Sequence, residues 1–371
     1  MAGAVLYHRG LRPLLFLLPP GAAHELAFAA LGPFERVAWL RDALRRVAGV
    51  PLGGAIAVKR MGLEFPSVVG LAGGFDKNGR RPRALEALGF GHLELGTVTA
   101  RPQAANPTPN LFRLPADRAL VNRLGFPNEG AERLAARLRA ARADLRVPVG
   151  VSIGKSRAVS VDDLDAVVAD YLAAFDAVRE VADFVVVNVS SPNTAGLRAM
   201  QGRDHARTLL AALRSRGPTT RLLVKIAPDL SDSQLDDVLS VVDEVRLEGV
   251  VATNTTIARS GLSTDAKSVE AIGAGGLSGA PLRARAREIV RRVRVRLGRS
   301  VVVIGVGGVE TADDALALVR AGADLVQMYT GFVYGGPLSV ARIGHELALR
   351  VEREGLASIA DLVGADGGLL R

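Results

Sequence analysis

Asn188-Val189-Ser190-Ser191-Pro192-Asn193-Thr194 sets two amides and three hydroxyls directly behind the apolar run 183–187. Pro192 fixes its own φ and cannot donate to a ladder, so a buried strand must end here and open into a polar loop. Ser, Asn and Pro are also ordinary turn formers, and a loop cap is the plain alternative for this stretch taken alone. The pattern recurs, however: Lys77, Asn122, and Asn254 with Thr255 stand at similar breaks. Amides offer donor and acceptor together, which suits a planar ligand with alternating C=O and N–H groups, such as a pyrimidine. Lys77 adds a cation for a carboxylate on that ligand. Lys225, at a strand end among apolar residues, would place a fixed positive charge beside a cofactor ring, where it stabilises a reduced, anionic flavin. Only five of the 47 basic residues are lysines, which makes each of them informative.

The elements that must position these side chains can be read from periodicity. From Val68 onward, short β-branched runs alternate with helical patterns. The spacing predicts strands at 68–71, 92–95, 147–153, 184–187, 222–226, 249–252, 301–304 and 324–327. Helical patterns lie around Ala84 and over 129–144, 162–181, 204–214, 231–246, 282–297 and 312–321. Eight such units predict an α/β fold, a (β/α)8 TIM barrel; a doubly wound open sheet would not need eight. In a barrel the strand ends meet at one face, where active sites are built. The seventh and eighth ends, Gly305-Val306-Gly307-Gly308 and Thr330-Gly331, precede helices and fit a phosphate held on backbone N–H groups and a helix N-terminus. No adenosine fingerprint accompanies them, so FMN fits better than FAD or NAD. Two insertions, 100–126 and 256–281, have the length of loops that cover ligands.

The 371 residues suffice for one large domain or for one with an appendage. Forty-nine per cent are hydrophobic but only 4% aromatic, a mix that suits helices packed on a parallel sheet. Cysteine is absent, which excludes disulfides, iron–sulfur clusters, thiolate zinc sites and a cysteine base. The five histidines show no close metal-ligand pair, and no metal is expected. Residues 150–156 fall one short of a Walker A loop, and no Gly-x-Ser-x-Gly elbow surrounds Ser191, against an ATPase and a hydrolase. The formal charge is +9, but the arginines are spread along helices without interleaved aromatics. An anionic membrane surface is therefore a better partner than nucleic acid.

Residues 1–50 read as a separate amphipathic segment and 51–371 as the barrel. The apolar run 14–18 is far shorter than the ~20 residues of a membrane span and shorter than a signal-peptide core. Helical patterns cover 22–31 and 34–47 with Pro33 between them. In the second, Val37, Leu40, Leu44 and Val47 share a face, with Glu35, Arg36, Arg41, Asp42, Arg45 and Arg46 around the remainder. The segment reads as a peripheral membrane anchor with Trp39 and Phe34 at the interface; the alternative is a helical hairpin docked on its own domain. His24 lies in it, beside a candidate apolar channel.

Gly74-Phe75-Asp76-Lys77, Gly96-Thr97-Val98-Thr99, Asn122 to Phe126, Asn188 to Gly196, Lys225 to Asp229, Ala252 to Thr256, Gly275 to Gly279 and Gly305 to Gly308 follow in order along nearly the whole chain. Together they resemble the class 2, quinone-linked dihydroorotate dehydrogenases. The amphipathic segment, and serine in place of cysteine at the base position, separate that class from the soluble ones. The resemblance implies oxidation of dihydroorotate to orotate in de novo pyrimidine biosynthesis, with FMN as cofactor and a membrane quinone as acceptor. It implies Ser191 as the base at C5, with Thr194 and Phe126 flanking the proton's exit and hydride passing from C6 to the flavin. The orotate ligands would be Lys77, Asn122, Arg123, Leu124, Gly125, Phe126, Asn188, Asn193, Asn254 and Thr255. FMN would rest on Gly73, Gly74, Phe75, Asp76, Lys77, Thr97, Ser152, Asn188, Lys225, Thr253, Gly279, Gly308, Tyr329 and Thr330. The quinone would enter near His24, Arg113 and Tyr329. The chain would be a monomer, peripheral to the cytoplasmic face of the cell membrane. One departure stands out: Ser152 occupies a place where the family more often has asparagine, so a direct flavin contact there is lost or bridged by water. The rivals are another FMN barrel that reduces a pyrimidine or an enone with NAD(P)H, and a non-catalytic barrel that binds a phosphate ligand at the membrane.

Overall fold

In the computed structural model, which describes residues 7–49 and 53–367, the Val-, Ile- and Leu-rich runs become strands buried on both faces. The chain starts with helices α1 (Arg12–Leu17), α2 (Pro20–Ala30), α3 (Gly32–Arg36) and α4 (Ala38–Ala48). A hairpin follows, β1 (Val58–Arg60) and β2 (Leu63–Phe65). Next come β3 (Val69–Leu71), α5 (Pro82–Ala87), β4 (Leu93–Val98), β5 (Leu111–Leu114), β6 (Ala119–Asn122), α6 (Ala131–Ala141) and β7 (Val149–Ile153). The middle of the chain gives α7 (Leu164–Val178), β8 (Phe184–Asn188), α8 (Arg203–Arg216), β9 (Leu222–Ile226), α9 (Asp232–Val245), β10 (Gly249–Ala252), α10 (Ala266–Ile272) and β11 (Gly276–Gly279). The last elements are α11 (Arg283–Leu297), β12 (Val302–Val306), α12 (Ala312–Ala321), β13 (Leu325–Met328), α13 (Thr330–Gly335) and α14 (Ser339–Arg353).

Strands β3, β4, β7, β8, β9, β10, β12 and β13 pair in chain order, and β13 returns to β3 with Gln327 opposite Gly70. The sheet thus closes into the (β/α)8 barrel that the spacing predicts, and all eight expected strands take part. Helices lie against it by their apolar stripes: α7 buries Val167, Tyr171, Ala174, Phe175 and Val178, spaced three and four apart. Capping side chains fix where helices begin, with the Asp163 carboxylate accepting from the Ala166 N–H and Ser231 from that of Gln234. The β1–β2 hairpin covers the strand-start end. There Arg60 Nε donates to Asp324 Oδ1 at 2.6 Å, and Phe65 meets His92 edge-on with ring centroids 5.6 Å apart.

The opposite end is covered by the two insertions. Where loops are expected, β5, β6 and β11 form an antiparallel sheet, with Gly276 and Leu111 on either side of Asn122. Leu114, Ala119, Val121 and Leu277 give it a small apolar core of its own. The strands are four residues each; β5 and β6 form a local hairpin, but β11 joins them across about 150 positions of chain (Asn122 with Gly276), which no local pattern announces.

Helix α2 forms close to the predicted range 22–31, whereas the range 34–47 is broken at Val37 into α3 and α4, and charged residues of both turn inward. Glu35 and Arg41 are buried against the barrel instead of solvated. The Glu35 carboxylate accepts from Arg83 Nη1 at 3.1 Å and from the Ala84 N–H at 3.0 Å, and Arg45 pairs with the buried Glu86. Helix α5 presents charged groups that would lie uncompensated beneath an apolar cover, so Glu35 of α3 and Arg41 and Arg45 of α4 face inward. The segment is docked on the barrel and still leaves Leu14, Leu17, Trp39 and Val47 exposed. The expected boundary at residues 50–51 lies outside the described residues.

Candidate active site

The ends of the barrel strands and the β5–β6–β11 sheet enclose a cavity of about 1070 Å³, measured to its open mouth. A continuous set of hydrogen bonds forms one wall. Thr97 Oγ1, at the end of β4, accepts from Asn188 Nδ2 at 2.9 Å and lies 2.9 Å from Ser152 Oγ. Asn188 Oδ1 accepts from Ser190 Oγ at 3.1 Å and from Asn254 Nδ2 at 3.3 Å. Three neighbouring strands thus cross-brace their terminal side chains, as a rigid polar wall requires. Ser152 is fully buried behind Thr97 and does not reach the cavity; it acts on the wall through the threonine.

Ser191 lies on the cavity wall, nearly buried, with its Oγ accepting from the Asn193 N–H at 3.2 Å. Asn193 Nδ2 donates to Asn122 Oδ1 at 2.9 Å, which links the serine loop to the covering sheet. Asn122 Nδ2 in turn donates to the Gly276 carbonyl at 3.3 Å. Asn254, Thr255, Leu124, Gly125 and Phe126 line the same space. Lys77 also lines it and makes no ion pair among the described residues. Burial pushes its ammonium pKa down to about 8, against the opposing pull of the Asp76 and Glu25 carboxylates.

Below the amides, Lys225 Nζ sits at the cavity wall and donates to Glu94 Oε1 at 3.0 Å, both side chains being buried. Gln327 also borders the cavity, with both amide atoms buried and without a partner among the described residues. On the far side Thr253, Gly279, Gly308 and Thr330 line the wall. Gly279 and Gly308 take φ of 102° and 73°, conformations that favour glycine. Of the two helix ends expected to hold a phosphate there, that of α12 is already capped. Asp314 Oδ2 takes the Glu310 and Thr311 N–H groups at 3.1 and 3.0 Å, and a carboxylate repels an anion. The groups left for a phosphate are the Gly307–Gly308 backbone, the start of α13 at Thr330-Gly331, which no side chain caps, and the hydroxyls of Ser278 and Thr330, which lie 2.8 Å apart.

A second cavity of about 1460 Å³, lined almost wholly by apolar groups, lies between α1, α2 and the barrel. His24, Phe75, Arg113 and Tyr329 line it, and Tyr329 borders both cavities. Phe75 meets His24 and Tyr329 edge-on, at 5.1 and 5.4 Å between centroids. Burial, and secondarily the Lys77 charge, hold His24 down at about 3, so its ring is neutral near pH 7. Arg113 Nη1 donates to the Leu18 carbonyl at 2.8 Å and its guanidinium lies 4.5 Å from the Phe16 ring centre, tying α1 to the covering sheet.

The remaining expected residues fall elsewhere. Phe75 faces the second cavity and not the first. Asp76 is buried and turned back, its carboxylate accepting from the Arg80 and Arg81 N–H groups at 2.9 and 2.8 Å. Arg123 points away, donating to Pro109 O at 3.2 Å and stacking on Phe112 at 4.9 Å, so it holds the cover together. Thr194 does not line the cavity. Conversely, sequence reasoning missed Glu94, Gln327 and Arg198. Arg198 reaches three loops at once, donating to Ser190 O at 3.1 Å, Asp229 Oδ2 at 2.8 Å and Thr255 O at 3.0 Å. Glu94 had a visible signal, a carboxylate inside an otherwise apolar strand.

A family model described as dihydroorotate dehydrogenase matches residues 55–351. A relative from Thermobifida fusca, named dihydroorotate dehydrogenase (quinone), is 50% identical, covering 98% of this chain and 97% of its own. One of the same name from Mycobacterium tuberculosis is 48% identical over 95% of this chain and 97% of its own. Among solved structures, the Eimeria tenella DHODH in complex with ferulenol superimposes with a TM-score of 0.78 at 34% identity, covering 89% of this chain and 95% of that one. Half of all positions shared over almost the full length, on the same barrel, leaves one conclusion: the chain belongs to the dihydroorotate dehydrogenase family.

Proposed function

We propose that this protein oxidises dihydroorotate to orotate and delivers the electrons to a quinone at the membrane, with FMN in the cavity at the ends of the barrel strands. The observation that carries this reading is the convergence of Lys77, four asparagines, Ser191 and Lys225 on one enclosed space. Its donor set fits FMN. Unpartnered Gln327 amide atoms and the Lys225 ammonium border the place for a ring, and the Gly307–Gly308 backbone with the Ser278 and Thr330 hydroxyls suits a phosphate. Gly73, Gly74, Thr97, Asn188, Thr253, Gly279, Gly308, Tyr329 and Thr330 would complete the cofactor's contacts, with Ser152 reaching it only through Thr97. FMN, when bound, takes up hydride from the substrate and gives up electrons to the quinone.

The protein's own part is recognition and proton transfer. Asn122, Asn188, Asn193 and Asn254 present amides to the ring's C=O and N–H groups, and Lys77 neutralises the substrate carboxylate. Ser191 Oγ accepts the C5 proton; the hydroxyl is a weak base and must pass the proton on, past Thr194 and Phe126. The covering sheet shields that transfer from bulk water.

Residues 1–50 act as a membrane-association and quinone-channel segment and 51–371 as the catalytic barrel. The exposed Leu14, Leu17, Trp39 and Val47 support shallow insertion into the cytoplasmic face of the membrane. Among the described residues no helix is long and apolar enough to cross it. The quinone ring enters the apolar cavity beside His24, Arg113 and Tyr329. The protein works as a monomer without nucleic acid. Anaerobic addition of dihydroorotate to the purified protein tests the reading: bleaching of flavin absorbance with formation of one orotate per flavin supports it. A colourless protein, or bleaching by NADPH alone, overturns it.

A further inference from the structure

Helix-flanked barrel strands are apolar for a physical reason, and Glu94 breaks the rule. It is the second residue of β4, where every residue is buried, and its own side chain is fully buried. Its Oε1 is 3.0 Å from Lys225 Nζ on β9, three strands further around the barrel, so the pair spans the bore. Only the lysine borders the cavity. The other oxygen, Oε2, has no partner among the described residues. The carboxylate is also pressed on the loop that follows β3: a Cβ on Gly73 would come within 2.3 Å of Oε1. One side chain therefore contacts both the cation and the glycine loop of the cavity at the strand ends.

A buried ion pair is a poor way to stabilise a fold, because removing two charges from water costs about as much as their attraction returns. Its electrostatic effect on the cavity, by contrast, is direct. An uncompensated ammonium at the wall favours added negative charge on a bound ring. A carboxylate 3.0 Å behind it cancels much of that field. We infer that Glu94 is a positioning residue of the redox site: it fixes Lys225 Nζ at the cavity wall and balances its charge, so that flavin bound there is a weaker oxidant than the lysine alone would make it. A weaker oxidant still accepts electrons from the dihydropyrimidine and releases them more readily to a quinone. This inference rests on the FMN reading above.

The test uses the full-length holoprotein and its Glu94→Gln and Glu94→Asp variants. Glutamine keeps an acceptor beside Lys225 and removes the charge; aspartate keeps the charge and draws it away from Nζ. The readout is sulfite affinity, followed by flavin absorbance, since sulfite binds more tightly to more electron-poor flavins. Glu94→Gln should retain FMN and bind sulfite about tenfold more tightly, equivalent to about 30 mV for a two-electron couple. Glu94→Asp should shift in the same direction by less, and reoxidation by quinone should slow in both. Sulfite affinity within twofold of wild type, or weaker, overturns the inference, as does loss of FMN from both variants. Wild-type protein without FMN, or not reduced by dihydroorotate, would instead overturn the functional reading on which it stands.

Discussion

Arg198 Nη1 lies 2.8 Å from Asp229 Oδ2, and the rest of the same guanidinium holds the carbonyls of Ser190 and Thr255. Asp229 also accepts from the Ile257 N–H at 3.1 Å. The serine loop and the loop carrying Asn254 and Thr255 are therefore set against each other by one planar fork, a geometry that lysine cannot reproduce. Arg198→Lys should keep FMN but slow anaerobic flavin reduction by dihydroorotate by about 10- to 100-fold, the worth of one or two charge-assisted bonds. Reoxidation by quinone should be unchanged. Stopped-flow measurement of the two half-reactions checks this, and equal slowing of both would contradict it.

Ser191 is the one hydroxyl placed for proton transfer from the substrate in this account. Ser191→Ala should bind FMN and orotate as wild type does, while turnover near neutral pH falls by about 100- to 10,000-fold. Steady-state assays beside orotate titrations separate the two effects.

Lys77 sets a limit on the alkaline side. Its ammonium is charged below about 8 and neutral above, so affinity for the orotate carboxylate should fall as pH rises through that value. Orotate titration of the flavin spectrum about 1.5 pH units either side of that value, near pH 6.5 and pH 9.5, measures it. Lys77→Met should bind orotate weakly at both values and lose the pH dependence.

His24 makes a prediction about stability. Its folded pKa of about 3 lies below the unfolded value of ~6.5, so on acidification the unfolded chain takes up a proton before the folded one does. Stability from this group is complete above ~6.5 and is lost as pH falls below it, by up to ~1.4 kcal/mol per pH unit. Urea unfolding at two pH values, one near neutral and one near 5, should show a smaller acid loss for His24→Leu than for wild type. The fully buried His92, also held near 3 by burial, acts the same way in both proteins and cancels in the comparison.

The exposed apolar residues of the N-terminal helices should carry membrane binding. Leu17 and Trp39 are 82% and 70% exposed. Leu17→Glu with Trp39→Glu should weaken binding to anionic vesicles by about tenfold or more, since each side chain contributes ~1.5–3 kcal/mol when buried in an apolar phase. Flavin reduction by dihydroorotate should not change. Vesicle co-sedimentation, run beside stopped-flow reduction, distinguishes an anchor from a merely structural segment.

The barrel was legible because short apolar β-branched runs and period-3.6 patterns are local, and eight buried strands repeat the same signal from β3 to β13. The amides at the strand ends were legible because polarity interrupts apolar runs there. What escaped detection depends on distant pairing. The β5–β6–β11 sheet joins two insertions, and Glu94 gains its meaning only from Lys225 on the far side of the bore. The orientation of α3 and α4 escaped for a related reason: an amphipathic pattern says which residues share a face but not that Glu35 and Arg41 have partners waiting on α5 and its neighbours. Asp314 likewise caps its helix from three residues inside, which closes an end that the glycines alone make look open.

The central claim is that one cavity joins dihydroorotate, FMN and, through Tyr329, a quinone site. Sequential-mixing stopped flow tests it most directly: anaerobic protein is mixed first with dihydroorotate and then with a short-chain quinone. The account predicts complete flavin bleaching with release of orotate, followed by full recovery of flavin absorbance on the second mix. Bleaching that dihydroorotate cannot produce, or reduced flavin that quinone cannot reoxidise, would contradict it.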